Sequence, residues 1–193
     1  MYYSTRAKKL PVFLTVEEQK RLLMQPNLRY PTGERNYLLM KVMLAIGLRL
    51  NEALSLRWKD VDLLSGQVMV RFGKGSKDRA LWFSEDLIEL LRHWKKRQIK
   101  RVGSCELVFT TLHGTKLFQA YAREMVYRYR RKAGIEKHIS PHTLRHSFAT
   151  DLYRKTHNIR LVQKALGHAN IQSTTIYTHL VDEDLEKALK NLR

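Results

Sequence analysis

A chain of 193 residues, 44% of them hydrophobic, is long enough for one domain with or without a small appendage. Its only cysteine, Cys105, excludes an internal disulfide framework and a cysteine-rich zinc site, and suits a reducing cytosol. Thirty-six Lys+Arg against 18 Asp+Glu give a formal charge of +18, an excess that repels itself unless a polyanion is the working partner.

Residues 1–14 form a basic lead-in without the apolar run of a secretory signal. Thr15 with Glu18 predicts an N-cap and capping box for a helix carrying Leu22-Leu23. Pro26 and Pro31-Thr32-Gly33 are expected to break it. From Arg35 to Ile46 the pattern is apolar almost all round, which predicts a central buried helix closed by Gly47. The most hydrophobic stretch, Tyr37 to Leu48, is twelve residues long and contains Lys41, whereas a membrane span wants about 20 apolar residues. A soluble protein is therefore expected. A short helix follows over about 50–56.

Val68-Met69-Val70-Arg71-Phe72 and Ala80-Leu81-Trp82-Phe83 flank the turn-like Gly73-Lys74-Gly75-Ser76-Lys77-Asp78. This predicts a hairpin, with one more short strand near Val61. Leu87, Leu90, Leu91 and Trp94 fall in phase for a helix over 85–101, and Leu107-Val108-Phe109 suggests another short strand. Helices are expected over about 117–133, 141–155, 159–166, 171–178 and 183–192. The fold class is mainly α with a small antiparallel β-sheet (α+β).

Basic residues cluster in two of these helices. Arg92-His93-Trp94-Lys95-Lys96-Arg97-Gln98-Ile99-Lys100-Arg101 holds six Lys or Arg and no acid, and Tyr127-Arg128-Tyr129-Arg130-Arg131-Lys132 adds four. One such run alone is better explained as a solvated helix face. Two runs on a chain this basic point to nucleic acid. Arg92, Lys95, Lys96, Arg128, Arg130 and Arg131 are the candidate DNA contacts. No strongly amphipathic terminal anchor argues for a membrane surface.

Ser140-Pro141 is a strong helix start, a hydroxyl N-cap followed by proline at the first position. His142 and Arg145, three residues apart, are expected to share one face near the helix amino end, where free N–H groups favour a phosphate. Leu144, Phe148 and Leu152 should face the core. The next helix is capped by Asn158 and closed by Gly167; His168 follows, and Tyr177 lies nine residues further on. Taken singly, each of these has an ordinary explanation as a surface or core side chain. His142, His146 and His168 show no metal-ligand spacing, and no carboxylate adjoins His142, so no metal site is predicted.

Several short blocks stand in one order: Gly47-Leu48-Arg49-Leu50-Asn51-Glu52, the turn Gly73 to Arg79, Pro141-His142-Thr143-Leu144-Arg145-His146-Ser147-Phe148-Ala149-Thr150, Leu166-Gly167-His168, and Ile176-Tyr177-Thr178-His179. Over residues from about 10 to 181 they resemble the catalytic domain of the tyrosine recombinases, the phage-integrase family. The resemblance implies that family's catalytic fold, helices around a small sheet. It also implies an enzyme that breaks and rejoins double-stranded DNA through a 3′-phosphotyrosine. Tyr177 would be the nucleophile, with Arg49 and Arg145 clamping the non-bridging oxygens and Glu52 orienting Arg49. Tyrosine ionises near ~10, whereas an expelled sugar hydroxyl lies nearer water at about 15.7, so a general acid matters more than a strong base. Lys74 matches the family's acid and Lys77 is its nearest rival. His142 would accept or relay the tyrosine proton, and His168 would donate to a phosphate oxygen. Neither cofactor, metal nor ATP is implied.

The expected organisation is a lead-in at 1–14, a catalytic domain at 15–181 and a tail helix at 182–193 with Leu185, Ala188, Leu189 and Leu192 on one stripe. The tail is expected either to pack on its own domain or to dock on a neighbouring protomer in a synaptic tetramer. Most family members carry an amino-terminal helical domain of about a hundred residues; with fourteen residues in its place, the chain is expected to be an excised catalytic fragment or to resemble the short fimbrial-switch recombinases. The expected location is cytoplasmic and nucleoid-associated. A type IB topoisomerase, a non-catalytic DNA-binding regulator and an RNA-binding module displaying Phe72, Trp82 and Phe83 are the competing readings.

Overall fold

The structure, a computed structural model, describes residues 12–71, 78–167 and 189–190. Its elements run α1 (Val16–Leu23), α2 (Pro31–Ile46), α3 (Leu50–Leu54), β1 (Gln67–Val70), β2 (Arg79–Trp82), α4 (Glu85–Val102), α5 (Gln119–Lys132), α6 (Pro141–Thr156) and α7 (Ile159–Leu166), with a 3₁₀ turn at Trp58–Asp60. The chain is mainly α with a two-stranded antiparallel sheet. Among the described residues no helix is long and apolar enough to cross a membrane. The expected helices at 171–178 and 183–192 lie outside the described residues, except that Leu189 and Lys190 are helical.

Local signals place most helix ends. Thr15 Oγ1 accepts the Glu18 N–H at 3.2 Å while Glu18 accepts that of Thr15 at 2.8 Å, the reciprocal capping box expected. Asn158 Oδ1 accepts the N–H groups of Arg160 and Leu161, and Gly167 closes α7 in the left-handed region at φ 63°. One boundary differs. Pro31-Thr32-Gly33 does not break a helix but begins α2, because a proline at the first position lacks only an N–H that the helix leaves unpaired there.

α2 is the central helix and packs chiefly against α6, then α4. Leu38, Leu39, Met40, Val42 and Met43 are buried, and so are Glu34, Arg35 and Asn36 in its first turns. The Arg35 guanidinium donates to Thr110 O at 2.9 Å and to the Tyr121 hydroxyl at 2.6 Å, so a charge inside the core is fully engaged. Burial lowers its pKa, while Tyr121 acts in the opposite direction.

In the sheet, Gln67 pairs with Trp82, Val68 with Leu81, Met69 with Ala80 and Val70 with Arg79. The strand expected near Val61 is a single bridge from Val61 to Val68, and Leu107 makes one bridge to Arg57. The 107–109 segment is tied in mainly by side chains instead: Trp94 Nε1 donates to Val108 O at 2.8 Å, and Gln98 donates to Leu107 O and Thr110 Oγ1. Alternation along β2 buries Leu81 and leaves Trp82 61% exposed, and Phe83 turns inward just beyond it. With Phe83 buried and Phe72 outside the described residues, the sheet shows a lone exposed aromatic and no stacking platform among them.

Candidate active site

Gly47 ends α2 at φ 63°, a conformation that favours glycine, and a Cβ there would sit 2.2 Å from Phe148 Cδ1. The turn sends Leu48 into the core and brings Arg49 to the start of α3. One helical turn on, Glu52 Oε2 accepts the Arg49 backbone N–H at 2.7 Å and Oε1 accepts Arg49 Nη1 at 2.9 Å. A carboxylate at the third helical position thus caps α3 and orients the arginine before it. Glu52 is nearly buried, whereas the Arg49 side chain is 39% exposed and faces a cleft of about 670 Å³ also lined by Arg57, Lys59, Asp60 and Arg71.

Two further guanidinium groups converge on the same carboxylate. β2 delivers Arg79, whose Nη1 and Nη2 donate to Glu52 Oε1 and Oε2 at 3.2 and 2.9 Å. α6 delivers Arg145, with Nη1 at 3.7 Å from Glu52 Oε2. Arg145 is buried; Nη1 donates to Gly47 O at 2.6 Å and Nη2 to Leu166 O at 2.7 Å. It therefore bridges the carboxyl ends of α2 and α7, where partial negative charge accumulates. Burial alone would raise the Glu52 carboxyl, but the hydrogen bonds and charge of Arg79, followed by those of Arg49, hold it below the ordinary carboxylate range. Glu52 is accordingly ionised at neutral pH.

α6 gives different exposures to the two residues expected on one face. His142, second in the helix, is exposed, while Arg145 turns into the seam between α2 and α7. Three residues correspond to 300° of helix, and that offset of about 60° puts one side chain in solvent and the other beneath it. Leu144 is fully buried; Phe148 and Leu152 are half-buried against Ala149, Tyr153, Val162 and Leu166. His146, one turn beyond His142, is half-buried, and burial followed by repulsion from His142 and Arg145 lowers its pKa. Neutral imidazole is thus favoured beside the arginines.

Lys74, Lys77, His168 and Tyr177 lie outside the described residues. Arg49, Glu52 and Arg145 meet as the motifs led one to expect. Arg79 carries no assigned role in the sequence, although a signal was present: alternation places it on the buried face with Leu81, and a buried arginine requires a buried anion.

The basic runs are in part structurally committed. Arg92 bonds Leu63 O and Glu89, Lys95 lies 5.1 Å over the Trp58 ring, and Arg130 caps the end of α5 through Ile135 O and Glu136 O. Arg128 lies 5.3 Å over Tyr129 and remains exposed, as do Lys96 and Arg131.

Arginines gathered around one buried carboxylate, with Arg49 open to a cleft lined by further cations, form a cationic site suited to a phosphodiester. Comparison with known proteins gives the same direction. The Phage integrase family matches residues 12–184. The tyrosine recombinase XerD of Staphylococcus epidermidis is 36% identical over 183 residues, covering 93% of this chain and 62% of that protein. The crystal structure of XerH site-specific recombinase bound to palindromic difH substrate, a post-cleavage complex, superposes with a TM-score of 0.82 at 38% identity, covering 95% of this chain and 54% of that one. The catalytic domain of bacteriophage HP1 integrase superposes with a TM-score of 0.66 at 26% identity, covering 94% and 95%. The chain therefore spans less than two thirds of the length of the XerD relative and nearly all of an isolated catalytic domain.

Proposed function

Since the chain belongs to the phage integrase family, that of the tyrosine recombinases, we propose that it cleaves and rejoins double-stranded DNA through a covalent 3′-phosphotyrosine. The observation that carries this reading is the meeting of Arg49 and Arg145, 96 residues apart in sequence, on the two sides of Glu52. Attack on phosphorus builds charge on the two non-bridging oxygens, and planar, permanently charged guanidinium groups are the side chains that match them. Fixing their planes beforehand, through Glu52 for one and two helix-end carbonyls for the other, removes the reorganisation that water would have to undergo.

Tyr177 attacks, the 5′-oxygen leaves with a proton from Lys74, and a hydroxyl from another strand reverses the step. His142 takes or relays the tyrosine proton and His168 donates to a phosphate oxygen; Lys77 touches the backbone or substitutes for Lys74. The charge on the non-bridging oxygens is met by the protein's cations and the phosphodiester energy is conserved in the tyrosyl ester, so the chemistry calls for neither cofactor nor ATP. Arg92, Lys95, Lys96, Arg128, Arg130 and Arg131 belong to the DNA-facing surface. Residues 15–181 are the catalytic unit, acting in the cytoplasm on the nucleoid.

The test is a nicked suicide duplex followed by denaturing electrophoresis. Wild type is expected to give a DNA-linked protein band and Tyr177→Phe none, with binding retained; a band that persists in the Phe variant places the nucleophile elsewhere. Lys74→Ala should lose cleavage on the ordinary duplex and regain it on a 5′-phosphorothiolate, whose leaving group needs no proton. Assembly on DNA is as a synaptic tetramer, with residues 182–193 docking on a neighbour. Deleting 183–193 should then leave DNA binding intact and abolish higher-order complexes in a native gel; unchanged complexes would refute the docking.

A further inference from the structure

We propose that Arg79 is a positioning residue for the strand-cleavage reaction: its fork on Glu52 neutralises the carboxylate that orients Arg49, so that Arg49 and Arg145 keep their charge for the phosphate. This rests on the strand-cleavage reading above. The problem it solves is built into the site. A carboxylate that orients an arginine also attracts it, and Glu52 stands within 3.7 Å of Arg145 as well as bonding Arg49. The guanidiniums of Arg49, Arg79 and Arg145 all lie within 4 Å of the Glu52 carboxylate. A fork from Arg79 on both carboxylate oxygens offsets the charge that would otherwise be set against the two arginines of the clamp.

The geometry of Arg79 supports that role. It binds both oxygens of Glu52 through Nη1 and Nη2, the paired arrangement that most restricts a carboxylate. The Arg79 and Glu52 side chains are each 8% exposed, so the pair interacts across a medium less polar than water. Nε donates to Ala165 O at 2.8 Å, next to the Leu166 carbonyl that receives Arg145. Arg79 therefore fixes Glu52 relative to the end of α7 with the same reference point that Arg145 uses. In sequence it stands five residues after Lys74, and Ala165 three residues before His168. One side chain ties together the two segments that lead to those groups.

The experiment is a double-mutant cycle on the intact chain with Arg79→Met, Glu52→Gln and both, reading the rate of covalent adduct formation on the nicked duplex at saturating protein. Arg79→Met is expected to slow the step by about 10²-fold with DNA affinity little altered, and to lower the thermal midpoint because the buried Glu52 carboxylate loses its fork. Adding Glu52→Gln to it should recover much of that loss, since the uncompensated charge is gone. A merely structural arginine predicts the reverse, two losses that accumulate, and that result overturns the proposal. A second readout is independent of cleavage: the Glu52 carboxyl, followed by ¹³C NMR, should titrate higher in Arg79→Met, and an unchanged titration also overturns it. Where Arg79→Met does not fold, Arg79→Lys serves, keeping the charge and losing the fork, with a smaller rate loss expected. A wild type that forms no adduct removes the strand-cleavage reading, while the titration still decides whether Arg79 neutralises Glu52.

Discussion

At the scale of single residues, the site depends on one carboxylate whose ionisation is also a stability device. Glu52 titrates below its usual 4.5 in the folded protein because Arg79 and Arg49 outweigh its burial. A lowered folded pKa means the unfolded chain takes up the proton first as pH falls. The stabilisation is therefore complete above about pH 4.5 and fades as pH drops through the folded value. Denaturant unfolding of wild type and Glu52→Gln across pH 3 to 7 should show a stability gap at neutral pH that closes on the acid side. A constant gap would mean that the arginines do not bind Glu52 as an anion. The same residue marks the limit of sequence reasoning. Its pairing with Arg49 is local, three residues along one helix, and was legible. Its pairing with Arg79 crosses 27 residues and depends on the register of the hairpin, which no local pattern specifies.

At the scale of elements, helix ends were legible wherever a cap is made by neighbours in sequence, as at Thr15, Asn158 and Gly167. They failed where one residue type serves two purposes: the proline at 31 is an equally good stop and start. The Leu107 to Phe109 segment has strand composition but is held by Trp94 and Gln98 side chains, which pattern alone does not reveal. The burial of Arg145 was not legible for a related reason, because an offset of 60° decides between solvent and seam only once α2 and α7 are in place. Gly47 shows how tightly that seam is closed. Gly47→Ala combines a left-handed backbone with a methyl 2.2 Å from the Phe148 ring, and should cost about 3 kcal/mol in equilibrium unfolding. A loss under about 1 kcal/mol would mean that Phe148 swings aside freely.

At the scale of the whole molecule, the charge of +18 is the most direct prediction of a polyanionic partner, and structure sorts the cations that produce it. With six phosphate contacts, the slope of log affinity against log salt should be about −5. Lys96→Ala and Arg131→Ala, at exposed positions, should each make it shallower by about 1. Arg130→Ala removes the guanidinium that holds Ile135 O and Glu136 O, and should lower thermal stability as well. A slope unmoved by any of the three would place the DNA on another face. Net charge and basic runs were legible from composition; which arginines are already occupied by the fold was not, because Arg92 and Arg130 find their carbonyl partners only after the chain closes.

The carbonyls of Gly47 and Leu166 also make the two halves of the proposed phosphate clamp unequal for anyone engineering an inert version of the protein. Position 49 is partly open to water, so truncation there should cost less of the fold than truncation at 145. Position 145 stops two inward-facing helix termini, so shortening it strands both acceptors in a dry interior. A silent decoy that grips DNA without cutting it is therefore better made at the first arginine than at the second, where loss of chemistry and loss of the folded scaffold arrive together.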